Sequence, residues 1–127
     1  MTSAPVSNNK GQVFEQMACR YLQQQGLELV ESNYRSRKGE IDLIMLDDHC
    51  LVFVEVRYRA TNRYGSGAET VNRRKQERLI ATANHYLQGK HHGATQAARF
   101  DVISIGPQQG TDQGTDSMLW IKNAFQA

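Results

Sequence analysis

From Gln12 to Gln25 the apolar residues fall at Val13, Phe14, Met17, Ala18, Tyr21 and Leu22. That paired spacing predicts a helix with one buried face, and Gly26 supplies its stop. A short strand is expected over Leu27 to Asn33, followed by the basic cluster Arg35, Arg37 and Lys38, closed by Gly39. Ile41 to Leu46 and Leu51 to Tyr58 are rich in β-branched and aromatic residues around Asp47-Asp48-His49, which reads as a hairpin. Arg59 to Gly67 is polar, basic and glycine-containing, so it reads as a surface loop. A second helix is predicted from Thr70 to Leu87, with Val71, Leu79, Ala83, Tyr86 and Leu87 on one side. His91-His92-Gly93 reads as a loop and Phe100 to Ile105 as a strand. The doubled Gln-Gly-Thr-Asp at 109–116 is too short and polar for a structural repeat and reads as a connection. It leads to Met118 to Phe125, either an edge strand or a clasp packing Trp120 and Phe125. The order helix, three strands, helix, strand and a C-terminal edge strand predicts an α/β domain with a mixed sheet flanked by helices. Its expected parts are a flexible segment at 1–10, the domain at 11–106, and a connection with an aromatic segment at 107–127.

Composition narrows the classes. A chain of 127 residues, 39% hydrophobic and 22% charged, is a single globular domain by size. No run approaches the roughly 18 apolar residues of a membrane span, and the first ten residues lack a signal-peptide core, so a cytoplasmic protein is expected. Cys19 and Cys50 stand apart from any Cys/His ladder, which argues for free thiols and against a zinc site. The four histidines show no ligand spacing either. A net charge of +2 taken alone argues against a strongly basic nucleic-acid binder.

The hairpin carries the candidate chemistry. Strict alternation puts Glu40, Asp42, Ile44 and Leu46 on one face of the first strand, and Leu51, Phe53, Glu55 and Arg57 on one face of the second. A turn of two residues at Asp48-His49, or of four at Asp47 to Cys50, sets Leu46 against Leu51, Ile44 against Phe53 and Asp42 against Glu55. Two carboxylates then lie about 5 Å apart at Cβ on a half-buried sheet, where like charges repel. A divalent cation with a preference for oxygen would compensate, and Arg57 would add a fixed positive charge about 7 Å along the same face. Spacing alone is equally satisfied by a solvated pair neutralised by Arg57 and Arg59.

Two helical residues extend this arrangement. At 100° per residue, Lys75 falls between Val71 and Leu79 inside the apolar arc of the second helix, where a lysine either snorkels to water or points over the sheet. Glu15 borders the apolar stripe of the first helix beside Ala18 and Leu22, a position that an ordinary solvated flank also occupies.

At Gly39-Glu40-Ile41-Asp42-Leu43-Ile44 and Val52-Phe53-Val54-Glu55-Val56-Arg57-Tyr58-Arg59 the chain resembles the YraN-like family of small bacterial predicted endonucleases. That family belongs to the restriction-endonuclease-like superfamily with PD-(D/E)xK sites. The likeness extends to Glu15, Asn33-Tyr34-Arg35, Val71, Lys75, Arg99-Phe100-Asp101-Val102 and Asn123-Ala124-Phe125, nearly the whole chain. It implies a restriction-endonuclease-like core. It also implies Asp42 and Glu55 as metal-binding carboxylates for Mg²⁺ or Mn²⁺, with Glu15 and the Val56 carbonyl completing the set. Arg57 stands where the superfamily carries lysine; an arginine orients a phosphate but does not act as a general base. Lys75 would supply the missing ammonium. The implied activity is metal-dependent hydrolysis of phosphodiesters, in DNA ahead of RNA and in branched or structured DNA for some superfamily relatives. Superfamily nucleases often dimerise, so a homodimer is an expectation of the resemblance.

Ten of the fifteen basic residues lie between Arg35 and Arg78. Arg35, Arg37, Lys38, Arg59, Arg63, Arg73 and Arg74 flank the proposed site and are expected to contact nucleic acid. The modest total conceals a basic rim around an acidic centre. A non-catalytic nucleic-acid-binding module, favoured by Arg57, and a protein-interaction role for the sheet edge and aromatic tail stand as the alternatives.

Overall fold

The computed structural model describes residues 10–59, 71–89, 96–107 and 116–127. Loop residues 60–70, the His91-His92-Gly93 segment, the doubled Gln-Gly-Thr-Asp as far as residue 115, and residues 1–9 lie outside the described residues. The described residues form α1 (Lys10–Gln24), β1 (Glu28–Ser36), β2 (Gly39–Asp47), β3 (Cys50–Tyr58), α2 (Arg73–Gly89), β4 (Ala97–Pro107) and β5 (Asp116–Phe125). The strands make one mixed sheet in the order β1-β2-β3-β4-β5, with β3 and β4 parallel and the other neighbours antiparallel. Two helices on a mixed sheet in this order match a restriction-endonuclease-like core, and the C-terminal segment is a full edge strand.

Each face of the sheet carries one helix. Leu43, Met45, Val52, Val54, Ile103 and Ile105 pack with Ala18 and Leu22 of α1. Ile44, Leu51, Phe53, Phe100 and Val102 pack with Leu79, Ala83 and Tyr86 of α2. α1 ends where its pattern does. Gly26, at φ 101°, lets Leu27 N–H reach the Leu22 carbonyl (3.0 Å) and Gly26 N–H reach that of Gln23 (3.0 Å), the paired bonds of a left-handed helix stop. The α2 helix begins three residues later than its pattern, because Asn72 caps it: its Oδ1 accepts the Lys75 N–H at 2.8 Å.

The β2–β3 register is the one the apolar pairs dictate, Leu46 opposite Leu51 and Ile44 opposite Phe53, closed by a two-residue turn in which Asp48 takes φ 58°. At the far edge, Asp101 ties β5 to β4. It is fully buried and accepts hydrogen bonds from the Arg99 guanidinium (3.0 Å), Trp120 Nε1 (2.9 Å) and Asn123 N–H (2.9 Å), while Arg99 also pairs with Asp47 at 3.0 Å.

Candidate active site

The site forms where the hairpin stops being regular. The β2–β3 ladder runs from Asp47–Cys50 to Leu43–Val54 and ends there. One step further, where Asp42 would face Glu55, the Val56 N–H instead donates to Asp42 Oδ2 at 2.8 Å. On the other flank Asn33 adopts φ 53°, and the β1–β2 pairing passes from Ser32–Leu43 to Tyr34–Ile41 without engaging Asn33 or Asp42. A left-handed residue inside a strand breaks the alternation of faces. Across from it, Ile41 and Ile44, three residues apart on β2, both pack in the α2-side core, so β2 too breaks its alternation between them. The expectation that Asp42 shares a face with Ile44 fails for this reason: Asp42 is turned toward α1, where it shares a hydrogen bond with Glu15.

Glu55 keeps its regular place on the α2 side and is 6% exposed. Its Oε2 lies 3.2 Å from Lys75 Nζ, so the lysine in the apolar arc points over the sheet and pairs with a carboxylate. Arg73, Arg74 and Lys75 fill the first turn of α2, which holds no acidic residue. Cations there oppose the helix macrodipole, and a nearby anion offsets them. Glu55 is one such anion. Glu15, Asp42, Glu55, Val56 and Lys75 line a single cleft of about 390 Å³, with Gly11, Phe14 and Tyr58 at its rim.

Crowding and burial set the electrostatics. Burial, reinforced by the neighbouring Asp42 charge, pushes Glu15 up to about 7; burial and Asp42 also push Glu55 up to about 7, against the opposing pull of Lys75 and Arg57. Asp42 is raised by burial too, but the Val56 N–H and a hydrogen bond from Glu15 favour its charged form. Glu15 and Asp42 thus share a hydrogen bond that needs a proton on one of the two carboxyls. The donors are all oxygen, the chemistry of a hard divalent cation. Among the described residues no three His, Cys, Asp or Glu side chains are arranged to hold an ion by themselves, so water or main chain would have to contribute. Val56 is suited to this: its N–H faces β2, and in an extended strand its carbonyl points the same way.

The basic residues divide. Arg35 is exposed and pairs loosely with Glu40 at 3.8 Å; it lines a second groove of about 370 Å³ with Lys75 and Arg78, adjoining the carboxylate cleft through Lys75. Arg37 and Lys38 form the exposed β1–β2 turn, and Arg73 and Arg74 are exposed on α2. Arg57 makes no ion pair among the described residues and acts on Glu55 through its charge. Arg59 is drawn away from the rim, lying across Gly106 and donating to Ser117 Oγ at 3.3 Å. Arg63 lies outside the described residues. Sequence reasoning gave no place at the site to four residues: Arg78, three residues beyond Lys75 and so on the same helical face; Asn33, whose side chain hydrogen-bonds Glu15; and Phe14 and Tyr58, which line the cleft.

Comparison with known proteins places the chain. The profile of the uncharacterised protein family UPF0102 matches residues 14–105. The chain belongs to this family. It is 46% identical over 117 residues to a UPF0102 protein of Nitrosococcus oceani, covering 92% of this chain and 91% of that one. A relative from Nitrosomonas europaea is 47% identical over 119 residues (94% and 95%), and one from Aeromonas hydrophila 48% over 124 (95% and 88%). UPF0102 is the YraN-like family that the motifs indicated. Glu15, Asp42, Glu55, Arg57 and Lys75 all fall within the matched stretch, whereas β5 lies beyond it. Among the described residues no helix is long and apolar enough to cross a membrane.

Proposed function

We propose that this UPF0102 protein is a Mg²⁺- or Mn²⁺-dependent endonuclease acting on DNA. The observation that carries the reading is the meeting of Asp42, Glu55 and Glu15 with Lys75 in one cleft at the parted ends of β2 and β3. Three carboxylates crowded this closely raise one another's proton affinity, and a dication in place of the proton between Glu15 and Asp42 relieves that crowding. Asp42 and Glu55 would hold the ion, with Glu15, the Val56 carbonyl and water completing the shell, as suits Mg²⁺. When bound, the ion supplies Lewis-acid activation of the scissile phosphate and of the attacking water. Lys75, poised beside Glu55, orients that water or holds a phosphate oxygen, while Arg57 adds positive charge that acts on Glu55. Arg35 and Arg78 in the adjoining groove, with Arg37, Lys38, Arg73 and Arg74 around it, engage the flanking phosphates.

The test is cleavage of linear, flapped and four-way DNA in Mg²⁺, Mn²⁺ or EDTA by the wild type and by Asp42→Ala and Glu55→Ala. Metal-dependent cutting lost in both variants is expected; equal cutting by all three proteins would trace the activity to a contaminant. Arg57 in place of a lysine favours a second reading, a nucleic-acid-binding module without turnover. That reading predicts salt-sensitive binding with no metal-dependent product.

A further inference from the structure

The rim of the cleft carries an aromatic pair that the carboxylate chemistry leaves unexplained. Phe14 of α1 and Tyr58 at the end of β3 are stacked, their ring centroids 4.5 Å apart and their planes 6° from parallel. Both line the same cleft as Asp42 and Glu55. Tyr58 remains 45% exposed, among the most open large hydrophobic side chains of the described residues. Phe14 covers one ring face, so the open surface belongs to the opposite face and the edge. Alternation sets Tyr58 on the same side of β3 as Val56, about 7 Å further along the strand, and Val56 is the residue whose N–H holds Asp42. A ring backed on one side and still open to solvent is thus held one strand repeat from the residue that holds Asp42.

We infer that Tyr58, backed by Phe14, is a stacking platform for an unpaired nucleobase next to the bound phosphodiester, so that the substrate is a strand already unpaired at that point. In continuous duplex both faces of each base are stacked on neighbours, and a protein ring gains a face only after the base is pulled from the stack. An unpaired base presents its face without that step, and base–aromatic stacking is indifferent to which base it is. The platform therefore selects the state of the strand, not its sequence. This inference rests on the cleft being a nucleic-acid site.

The experiment measures binding in EDTA, which separates recognition from turnover. Short DNA strands carry 2-aminopurine at successive positions, either single-stranded or in duplex, and are titrated with wild type, Tyr58→Leu and Tyr58→Trp. Leucine keeps an apolar contact for Phe14 but offers no aromatic face; tryptophan restores one. The wild type is expected to prefer the unpaired strand and to quench one 2-aminopurine position. Tyr58→Leu should bind that strand about tenfold more weakly, the size of one lost base–aromatic contact, with duplex binding unchanged, and Tyr58→Trp should recover it. Wild-type binding without a quenched position, a preference for duplex, or unaltered binding by folded Tyr58→Leu would overturn the inference while leaving the nucleic-acid site intact. Failure of the wild type to bind any strand would overturn both. The quenching pattern of the wild type decides the matter even if Tyr58→Leu does not fold.

Discussion

Asp42 Oδ2 stands where a neighbouring strand's carbonyl would otherwise be, accepting the Val56 N–H at 2.8 Å. The carboxylate thus closes the hydrogen bonding of a sheet end and charges the cleft. Two substitutions separate these roles. Asp42→Asn keeps an acceptor for Val56 and removes the charge, whereas Asp42→Ala leaves the N–H without its partner. In metal-free protein the alanine variant should be less stable than the asparagine variant by about 1–3 kcal/mol. Denaturant unfolding measures the difference, and both variants should lose any stabilisation by Mg²⁺.

The raised carboxylates fix the sign of a pH effect. Glu15 and Glu55 sit near 7 in the folded protein against 4.5 for a free glutamate. Folding therefore favours their protonated forms: that contribution is complete below pH 4.5 and is lost as pH rises through about 7. The unfolding midpoint of metal-free protein should fall across this window, and Mg²⁺ should raise it more at pH 8 than at pH 5. Thermal scans with Mg²⁺ and with EDTA at several pH values check both, and a shallower Glu15→Gln profile would assign part of the slope to Glu15.

Lys75→Met removes the ammonium 3.2 Å from Glu55. Lysine opposes the upward push on Glu55, so its loss should carry that carboxyl further above the usual range and move the rising limb of a pH–rate profile to higher pH. Cleavage should fall on the order of 10²-fold or more. A variant that cuts at the wild-type rate with an unshifted profile would reduce Lys75 to a snorkelling side chain.

Gly106 is a position of close approach. A Cβ built there would lie 2.5 Å from Arg59 Cγ and 2.8 Å from the Arg59 carbonyl oxygen, and the latter is backbone. Gly106→Ala should destabilise by about 1–3 kcal/mol, as read from the denaturant midpoint.

Asp101→Asn puts an amide among donors. Arg99, Trp120 and Asn123 all donate to this buried carboxylate, and breaking such a pair on one side is worth about 3–5 kcal/mol. Trp120 is the only tryptophan, so its fluorescence should report β5 coming loose before the rest of the protein unfolds.

The legible and illegible parts of this fold differ in physical kind. Helix α1 and the register of β2 on β3 could be read because burial writes them directly: Phe14, Ala18 and Leu22 at helical spacing, and Ile44 and Leu46 opposite Phe53 and Leu51. The departure of Asp42 from that register could not, because it goes with a break in the alternation of β2 between Ile41 and Ile44, opposite a left-handed Asn33, and asparagine visits that region without marking the sequence as glycine does. Lys75 could be singled out as a cation in an apolar arc, but only the cap at Asn72 and the depth of Glu55 determine that it turns inward. Tyr58 read as one more strand residue, since its significance lies in Phe14, forty-four positions earlier.

The broken step of β2 opposite Asn33 bears on how this site can be moved or copied. Transplanting Gly39 to Arg59 onto an ordinary flat hairpin would carry over every residue named in the motif and still deliver Asp42 to the wrong side of the sheet, beneath α2 and out of Glu15's reach. The portable unit is the motif together with a neighbouring strand that is willing to break step. A designer, or a search for distant relatives, that looks only at the acidic signature will accept hairpins whose carboxylate pair stands without its third acid, Glu15.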